Sequence, residues 1–577
     1  MASYIIYNYR KKDSIAWVFS IIPMRKLTKS NFILRPLAGF VMILLTVAIS
    51  SCGTMGSGSE TAEGDTLKIT VLQTADIHGQ LDSHPELFWE NEEIVFKDRG
   101  GLANMKTLFD QEGAANPGKT LIVDGGDLIQ GSGYAALSEG KVMTDIIKNM
   151  GYDVIIPGNW EVVYGKSNMM EIMEGYGTQV IAQNMYHDET KERLFSPYVI
   201  KEIEGVKLGF VGLNDPAVPV RQNPSFSEGI AFSGMDAEFQ KTLDYLKQEE
   251  KVDLLFLVTH IGVFKQLALG NNQLAQSVDY ILGNDTHERI REPLSGAFAK
   301  VTEPGAFGSF VGKLTLKFVN GKFVGDEYDL IDIDPEVLPA NEEIQALVNK
   351  AKAPYRENLE TIIGYTATPL FRYLTVENPM DNMITDAARW KTGVDISISN
   401  GFRFGNPIVP QDGKPAAITR ANLWNLLPVN EKIKTGKASG QQIKDWLEQE
   451  MHNAFAAEAS DRFGGWLVRF SGMTVKFNSE NDKGQRIQEI KVNGKLIQDN
   501  EYYSISACVR PGDPLDRLCR MEYVKDVEVM PYTIHDVVEE YLKIHSPVSP
   551  KLDGRAYSEN LGTYSFSTVP GTNYVFH

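Results

Sequence analysis

Cysteine is nearly absent from this 577-residue chain, which has only Cys52, Cys508 and Cys519. Three cysteines cannot build a disulfide scaffold, so buried apolar surface must hold the fold. Positive charge is short as well: 57 Lys and Arg stand against 75 Asp and Glu, a formal net charge of −18. That balance argues against binding a nucleic acid polymer. An acidic protein that handles anions needs a local positive centre, such as bound metal. There is no internal repeat, and 43% apolar with 23% charged residues excludes disorder and a polytopic membrane protein. Length alone predicts two to four domains.

One apolar run stands near the amino end, Leu37 to Ile49, preceded by Arg25, Lys26, Lys29 and Arg35. It is too short for a bilayer anchor and has the form of a signal-peptide core. It ends in Ile49-Ser50-Ser51-Cys52-Gly53, small residues before a cysteine, as a lipoprotein signal peptidase requires. The expectation is that residues 1–51 are a lipoprotein signal peptide with its true start at Met24, and that lipid on Cys52 holds the chain to a membrane. An ordinary signal peptide with an incidental cysteine is the alternative. Residues 52–65 read as a tether rich in Gly, Ser and Thr. The localisation this implies is the cell envelope, periplasmic or surface-exposed, oxidising enough for a Cys508–Cys519 bridge to form.

The remainder splits in two. Residues 66–334 alternate short, β-branched apolar runs with amphipathic stretches, the pattern of strands covered on both faces by helices. They predict a layered α/β domain. Residues 335–361 open on Asp334-Pro335, a breaker, and then take helical spacing as a linker. Residues 362–545 predict a second α/β domain, and 546–577 a tail wrapping the surface.

Ligands of α/β sheets collect beyond the carboxyl ends of strands. Those ends read Asp76-Ile77-His78, Asp124-Gly125-Gly126-Asp127, Gly158-Asn159-Trp160-Glu161, Thr259-His260 and Gly283-Asn284-Asp285-Thr286-His287. Three of only nine histidines stand there. A single Asp or Asn at a strand end is usually a turn residue, but five such positions in order point to metal. Carboxylate, imidazole and carboxamide suit Mn, Zn or Fe, and a bridging carboxylate such as Asp127 lets two ions sit side by side.

The order of these motifs resembles the calcineurin-like metallophosphoesterases. More closely it resembles the two-domain 5′-nucleotidase family, whose members include cyclic-nucleotide phosphodiesterases and the thiosulfohydrolase of bacterial sulfur oxidation. The resemblance runs from about residue 69 to 541. It implies a four-layered α/β metallophosphoesterase domain joined by a helix to a second α/β substrate-binding domain, with the active site between them. It implies two divalent ions, Mn favoured and Zn or Fe the alternatives. Asp76, His78, Asp127 and His287 would hold one, and Asp127, Asn159, His260 and Asp285 the other. The implied reaction is hydrolysis of phosphate esters of nucleotides or similar small anions by a metal-bridged hydroxide.

Two departures bear on the chemistry. The family's usual His after Asn is Trp160 here, and Trp neither gives nor takes a proton in catalysis. Asp285 replaces an imidazole, adding negative charge that favours a harder ion. In the second half, Glu377 to Ala387 resembles the opening of the 5′-nucleotidase C-terminal domain, and its Asn and Asp are expected as helix caps rather than chemistry. The loop Asn400-Gly401-Phe402-Arg403-Phe404 is the expected substrate contact, with Arg403 suited to an anion. The family's pair of base-stacking phenylalanines is missing at the matching stretches, unless Phe402, Phe404 or Trp466 substitutes. Trp160, this loop and Phe463-Gly464-Gly465-Trp466 lean toward the thiosulfohydrolase branch, which would add a carrier protein as partner. A thiolate leaves as an anion and needs no protonating His. An inactive binding lipoprotein is a third reading, opposed by the retained ligand set.

Overall fold

The computed structural model describes Thr66 to Ser567, apart from Phe463 and Pro511. The expected signal peptide, tether and Cys52 lie outside the described residues. Among the described residues no helix is long and apolar enough to cross a membrane.

Two six-stranded sheets form the first half. In one, Thr66–Thr74, Thr120–Asp124, Val154–Ile155 and Gln179–Val180 run parallel, and Phe310–Val319 and Lys322–Asp332 complete an antiparallel edge. In the other, Val206–Asn214, Leu254–His260, Tyr280–Leu282 and Lys300–Thr302 are parallel. The inner faces meet through Ile69, Val71 and Val123 on one side and Phe210, Phe256 and Leu282 on the other. Phe256 stacks between Phe210 and Tyr280, with ring centroids 4.8 and 5.2 Å apart. Helices cover both outer faces. Leu102–Ala115, Thr144–Met150 and Lys166–Gly175 pack on the first sheet, and Ala237–Gln248 and Val263–Gly270 on the second. The strands read as continuous apolar runs because both of their faces are buried. The order of layers is helix, sheet, sheet, helix, as expected for a metallophosphoesterase domain.

Glu342–Lys352 is helical, capped by the Asn341 side chain, which accepts from Ile344 N at 3.1 Å. It is more than a connector, because Ile344 and Val348 are buried in the core under the first sheet. The second half has a five-stranded sheet ordered Arg469–Ser471, Ile396–Ser399, Tyr502–Cys508, Lys432–Ser439, Lys525–Thr533. Helices Pro379–Thr392, Gly440–Phe455 and Ile534–His545 cover it.

Two local expectations, on the tail and on the Asn378 cap, are corrected, and the bridge left open by the sequence is not formed. The tail does not only wrap the surface: Ala556–Ser558 adds a strand parallel to Met473–Phe477, and Phe566 is buried against Leu87, Phe307 and Phe404. Cys508 and Cys519 are unbridged. Cys519 sits in a loop with φ +45°, its carbonyl held by Trp446 Nε1 at 2.8 Å. Asn378 occupies the N-cap position of its helix, yet its side chain caps nothing there; it exchanges bonds with the backbone of Leu374 at 2.7 and 2.9 Å.

Asp381, in the same helix, accepts from Arg372 Nε and Nη2 at 3.1 and 2.7 Å, and Arg469 Nε lies 3.5 Å away. All three side chains are buried. Removing the carboxylate would leave two guanidiniums uncompensated in the core. Asp381→Asn should therefore lower unfolding stability by roughly 3–5 kcal/mol. Urea denaturation measures this, and a loss below about 1 kcal/mol is inconsistent with a buried ion cluster.

Candidate metal centre

All seven expected ligands meet at the carboxyl ends of the parallel strands. Five of them have left-handed backbones, with φ of +50° at Asp76, +54° at His78, +60° at Asp127, +92° at Asp285 and +59° at His287. Such conformations cost of order 1–3 kcal/mol each outside glycine and persist only where the surroundings fix them. Glu161 does much of that fixing. Its buried carboxylate accepts from the backbone N–H groups of Asp127, Leu128 and Gly158 at 2.9, 2.6 and 2.6 Å, tying two ligand loops together. The loops approach so closely that a Cβ on Gly158 would stand 2.3 Å from Asp127 Oδ1.

The imidazoles are oriented by backbone carbonyls. His78 Nδ1 lies 2.7 Å from Gln130 O, and His260 Nδ1 2.8 Å from Gly125 O. A carbonyl only accepts, so each Nδ1 carries a proton and each Nε2 faces inward. His78 Nε2 and His287 Nε2 are 3.0 Å apart. Two ligand nitrogens on one ion, at right angles with bonds of about 2.1 Å, stand about 3 Å apart. Asp76 Oδ1 lies 3.9, 3.8 and 3.8 Å from Nε2 of His78, His260 and His287, and has no hydrogen-bond partner although fully buried. Asp127 Oδ2 is 3.1 Å from His260 Nε2 and 3.8 Å from His78 Nε2, between the two groups as a bridging carboxylate would be. Two three-residue sets can each converge on an ion, Asp76, His78 and His287, and Asp76, Asp127 and His260. Asp76 thus reaches both positions, where the sequence reading gave it one.

Asn159 closes the second position. Its Oδ1 lies 3.0 Å from His260 Nε2 and 3.2 Å from both Asp285 Oδ1 and Asp127 Oδ2. Three oxygens crowd there around His260 Nε2, whose single proton can answer only one of them, an arrangement a cation relieves. On its other side Asn159 Nδ2 stands 2.8 Å from the Gln222 amide, whose Oε1 is otherwise unsatisfied. Turning the Gln222 amide supplies the acceptor and leaves Asn159 Oδ1 facing the ligands.

The negative charge of Asp285 is paired within the protein. Arg221 grips its carboxylate in a fork, at 2.8 and 3.1 Å, and so offsets it. Arg403 departs from expectation. Its guanidinium donates to Glu288 Oε1 at 2.8 Å, to Phe566 O at 2.6 Å and to Thr286 O. It is spent on the ligand loop and the tail rather than free for an anion. Its neighbours Phe402 and Phe404 take the other face of the loop. Phe404 packs on His78 with centroids 4.8 Å apart, and Phe402 lies 6.1 Å from Trp160 and 6.2 Å from Trp466. These rings, with Asn400, line a cavity of about 500 Å3 that opens from the ligand cluster into the second half.

Burial strongly disfavours charge on Asp76 and pushes its carboxyl well above the usual range. Burial opposes a charge on His260 too, but Asp127, Asp76 and Asp285 outweigh it and raise the imidazole well above its usual value. Burial lowers His78 and His287, leaving them neutral. Asp76 and His260 thus hold protons that a bound ion must expel. Metal affinity should therefore rise with pH across the neutral range, with net proton release on binding. Calorimetric titration with Mn(II) in buffers of different ionisation enthalpy reads that release; uptake without proton release contradicts the arrangement.

Comparison with known proteins follows these lines. Residues 69–289 match the calcineurin-like phosphoesterase family, and residues 362–507 match the 5′-nucleotidase C-terminal domain. The chain is 24% identical over 553 residues to the trifunctional nucleotide phosphoesterase YfkN of Bacillus subtilis, covering 84% of this chain but only 34% of that protein. It is 27% identical over 574 residues to a 5′-nucleotidase of Vibrio cholerae, covering 90% of this chain and 97% of that one. Among solved structures, the sulfate thiohydrolase SoxB of Thermus thermophilus superposes with a TM-score of 0.77 at 22% identity, over 86% of this chain and 98% of that one. At that identity the likeness speaks to the fold alone.

Proposed function

The chain belongs to the two-domain 5′-nucleotidase family, and from that footing we propose that it hydrolyses phosphate esters of nucleotides or similar small anions outside the cytoplasm. Two divalent ions are part of this reading, with Mn favoured. The observation that carries it is the convergence of Asp76, His78, Asp127, Asn159, His260 and His287 on two adjoining positions beside a cavity of substrate size. Bound there, two ions would polarise a phosphoryl oxygen and lower the pKa of water. The chain's own part is to hold that charge in place. Asp127 and Asp76 set the spacing, and Glu161 and the two backbone carbonyls remove the freedom of the ligands. Buried ligands and a walled cavity keep bulk water from competing. Extracytoplasmic placement rests on the Leu37 to Ile49 run and on Cys52, whose lipid would hold the chain at a membrane.

One observation favours a second reading, hydrolysis of sulfur-linked anions. Trp160, half-buried, lines the cavity 6.0 Å from His78, where the family's proton donor would stand. An indole cannot protonate an alkoxide leaving group, whereas a thiolate needs no such help.

The chain from Gly53 onward, loaded with Mn(II), should release phosphate from nucleoside monophosphates. No phosphate, together with sulfate from a thiosulfonate, transfers the case to the second reading. Asp127→Ala should abolish both metal retention and turnover; full activity in that variant refutes the bridging role. Trp160→His should raise phosphate release by about 10²-fold, the lower range for a general acid. An unchanged rate means that the indole is only a packing wall.

A further inference from the structure

The two outer ligands, Asp285 and Asn159, are each held by one of two adjacent residues. Arg221 forks onto Asp285, and Gln222 faces Asn159 at 2.8 Å. Both sit at the end of the short helix Val218–Arg221. Arg221 is braced from behind by Asp215 at 2.6 Å, a carboxylate 1% exposed. The backbone on either side of Arg221 is held from the second half of the chain. Arg510 Nη2 donates to Val220 O at 2.6 Å and to Gln222 O. Residues 220–222 are therefore a strut with Arg510 at one end and two metal ligands at the other.

The inner ligands lack this connection. His78 is fixed by Gln130 O, and Asp76, which reaches both positions, accepts at Oδ2 from the backbone N–H of Asp285 at 3.2 Å. Arg403 reaches Thr286, between Asp285 and His287, and so serves both positions at once. The contacts of Arg510 lead directly to the outer one, and reach the inner one only through the Asp285 N–H on Asp76.

We propose that Arg510 is a positioning residue for the outer metal. By seating on Val220 and Gln222 it sets the side chains of Arg221 and Gln222, and through them Asp285 and Asn159. The outer ion is then bound well only when the substrate domain is docked. This rests on the two-ion reading of the centre.

The test uses the full chain titrated with Mn(II), read by calorimetry and electron paramagnetic resonance. Wild type should bind two ions and give the signal of a coupled pair. Arg510→Ala should keep one ion at wild-type affinity and weaken the other by 10–100-fold, the range for loss of a supporting contact, with the coupled signal replaced by that of isolated Mn(II). Arg510→Lys, retaining a donor, should recover part of the lost affinity, and Arg403→Ala should weaken both sites. Two ions bound by Arg510→Ala at wild-type affinity overturn the proposal, as does equal loss of both with the circular dichroism unchanged. Fewer than two ions on wild type removes the two-ion reading and the proposal with it.

Discussion

A group of hydrogen-bond acceptors has been gathered in a buried place with too few donors to answer them all. Carboxylate and amide oxygens and imidazole nitrogens from five separate strand ends converge, with neighbouring pairs 3.0 to 3.8 Å apart. Left to themselves they would separate, because buried like charges and unpaired acceptors are each costly. Their confinement is the work of the surroundings. Two sheets packed face to face set the strand ends side by side, left-handed backbone turns aim the side chains inward, and Glu161 ties the loops from behind. The energy stored in this arrangement is what a divalent cation can recover.

The same logic extends to the seam between the halves, which is richly polar and yet closed. Tyr373 Oη donates to Glu86 at 2.6 Å, Gln130 Nε2 to Pro428 O at 2.9 Å and Asn406 Nδ2 to Gln80 at 2.9 Å. Arg403 and Phe566 bring the tail into the same seam, beside the ligand loop. Each contact joins a residue near the metal cluster to one on the substrate side. The cavity walls thus come from both halves, and the position of one wall depends on the other. A hinge here would have to break these hydrogen bonds as well as part the apolar cluster of Leu87, Phe307, Phe404 and Phe566.

How much of this was legible in the chain follows from distance along it. The ligands were legible because each belongs to a short local pattern, an apolar strand followed by a small residue and a polar one, and the fold merely aligns the strand ends. The layers were legible for a similar reason, since strands buried on both faces have no polar alternation. The partners of the ligands were not. Arg221 lies 64 residues from Asp285, and Arg510 lies 290 from Val220. Nothing local to either arginine marks it. Arg403 shows the limit most sharply. Its setting among glycines suggested a free anion-binding group, but Glu288, 115 residues away, had a prior claim on its charge. Phe566 was hidden in a stretch whose Ser, Pro and Gly content resembles a surface tail.

The choice of substrate then turns on the wall rather than on the metals. The ligand cluster can activate water toward more than one electrophilic centre, because it acts on charge and not on the identity of the ester. What separates a phosphate ester from a sulfur-linked anion is the leaving group, and only the residues around the departing atom can sense it. The aromatic wall beside the ligand cluster is made of Trp160, Phe402, Phe404 and Trp466, and none of these four offers a proton of useful acidity. Such a wall favours leaving groups that depart as stable anions and organic portions that bury well against rings. An aromatic base meets the second condition, while a thiolate meets the first. Arg221, a cation in the cavity wall, is already shared between Asp215 and Asp285, and Arg403 and Arg520 are likewise paired with Glu288 and Glu450. An entering anion must therefore find its positive charge chiefly in the bound ions, so that binding and chemistry draw on one source.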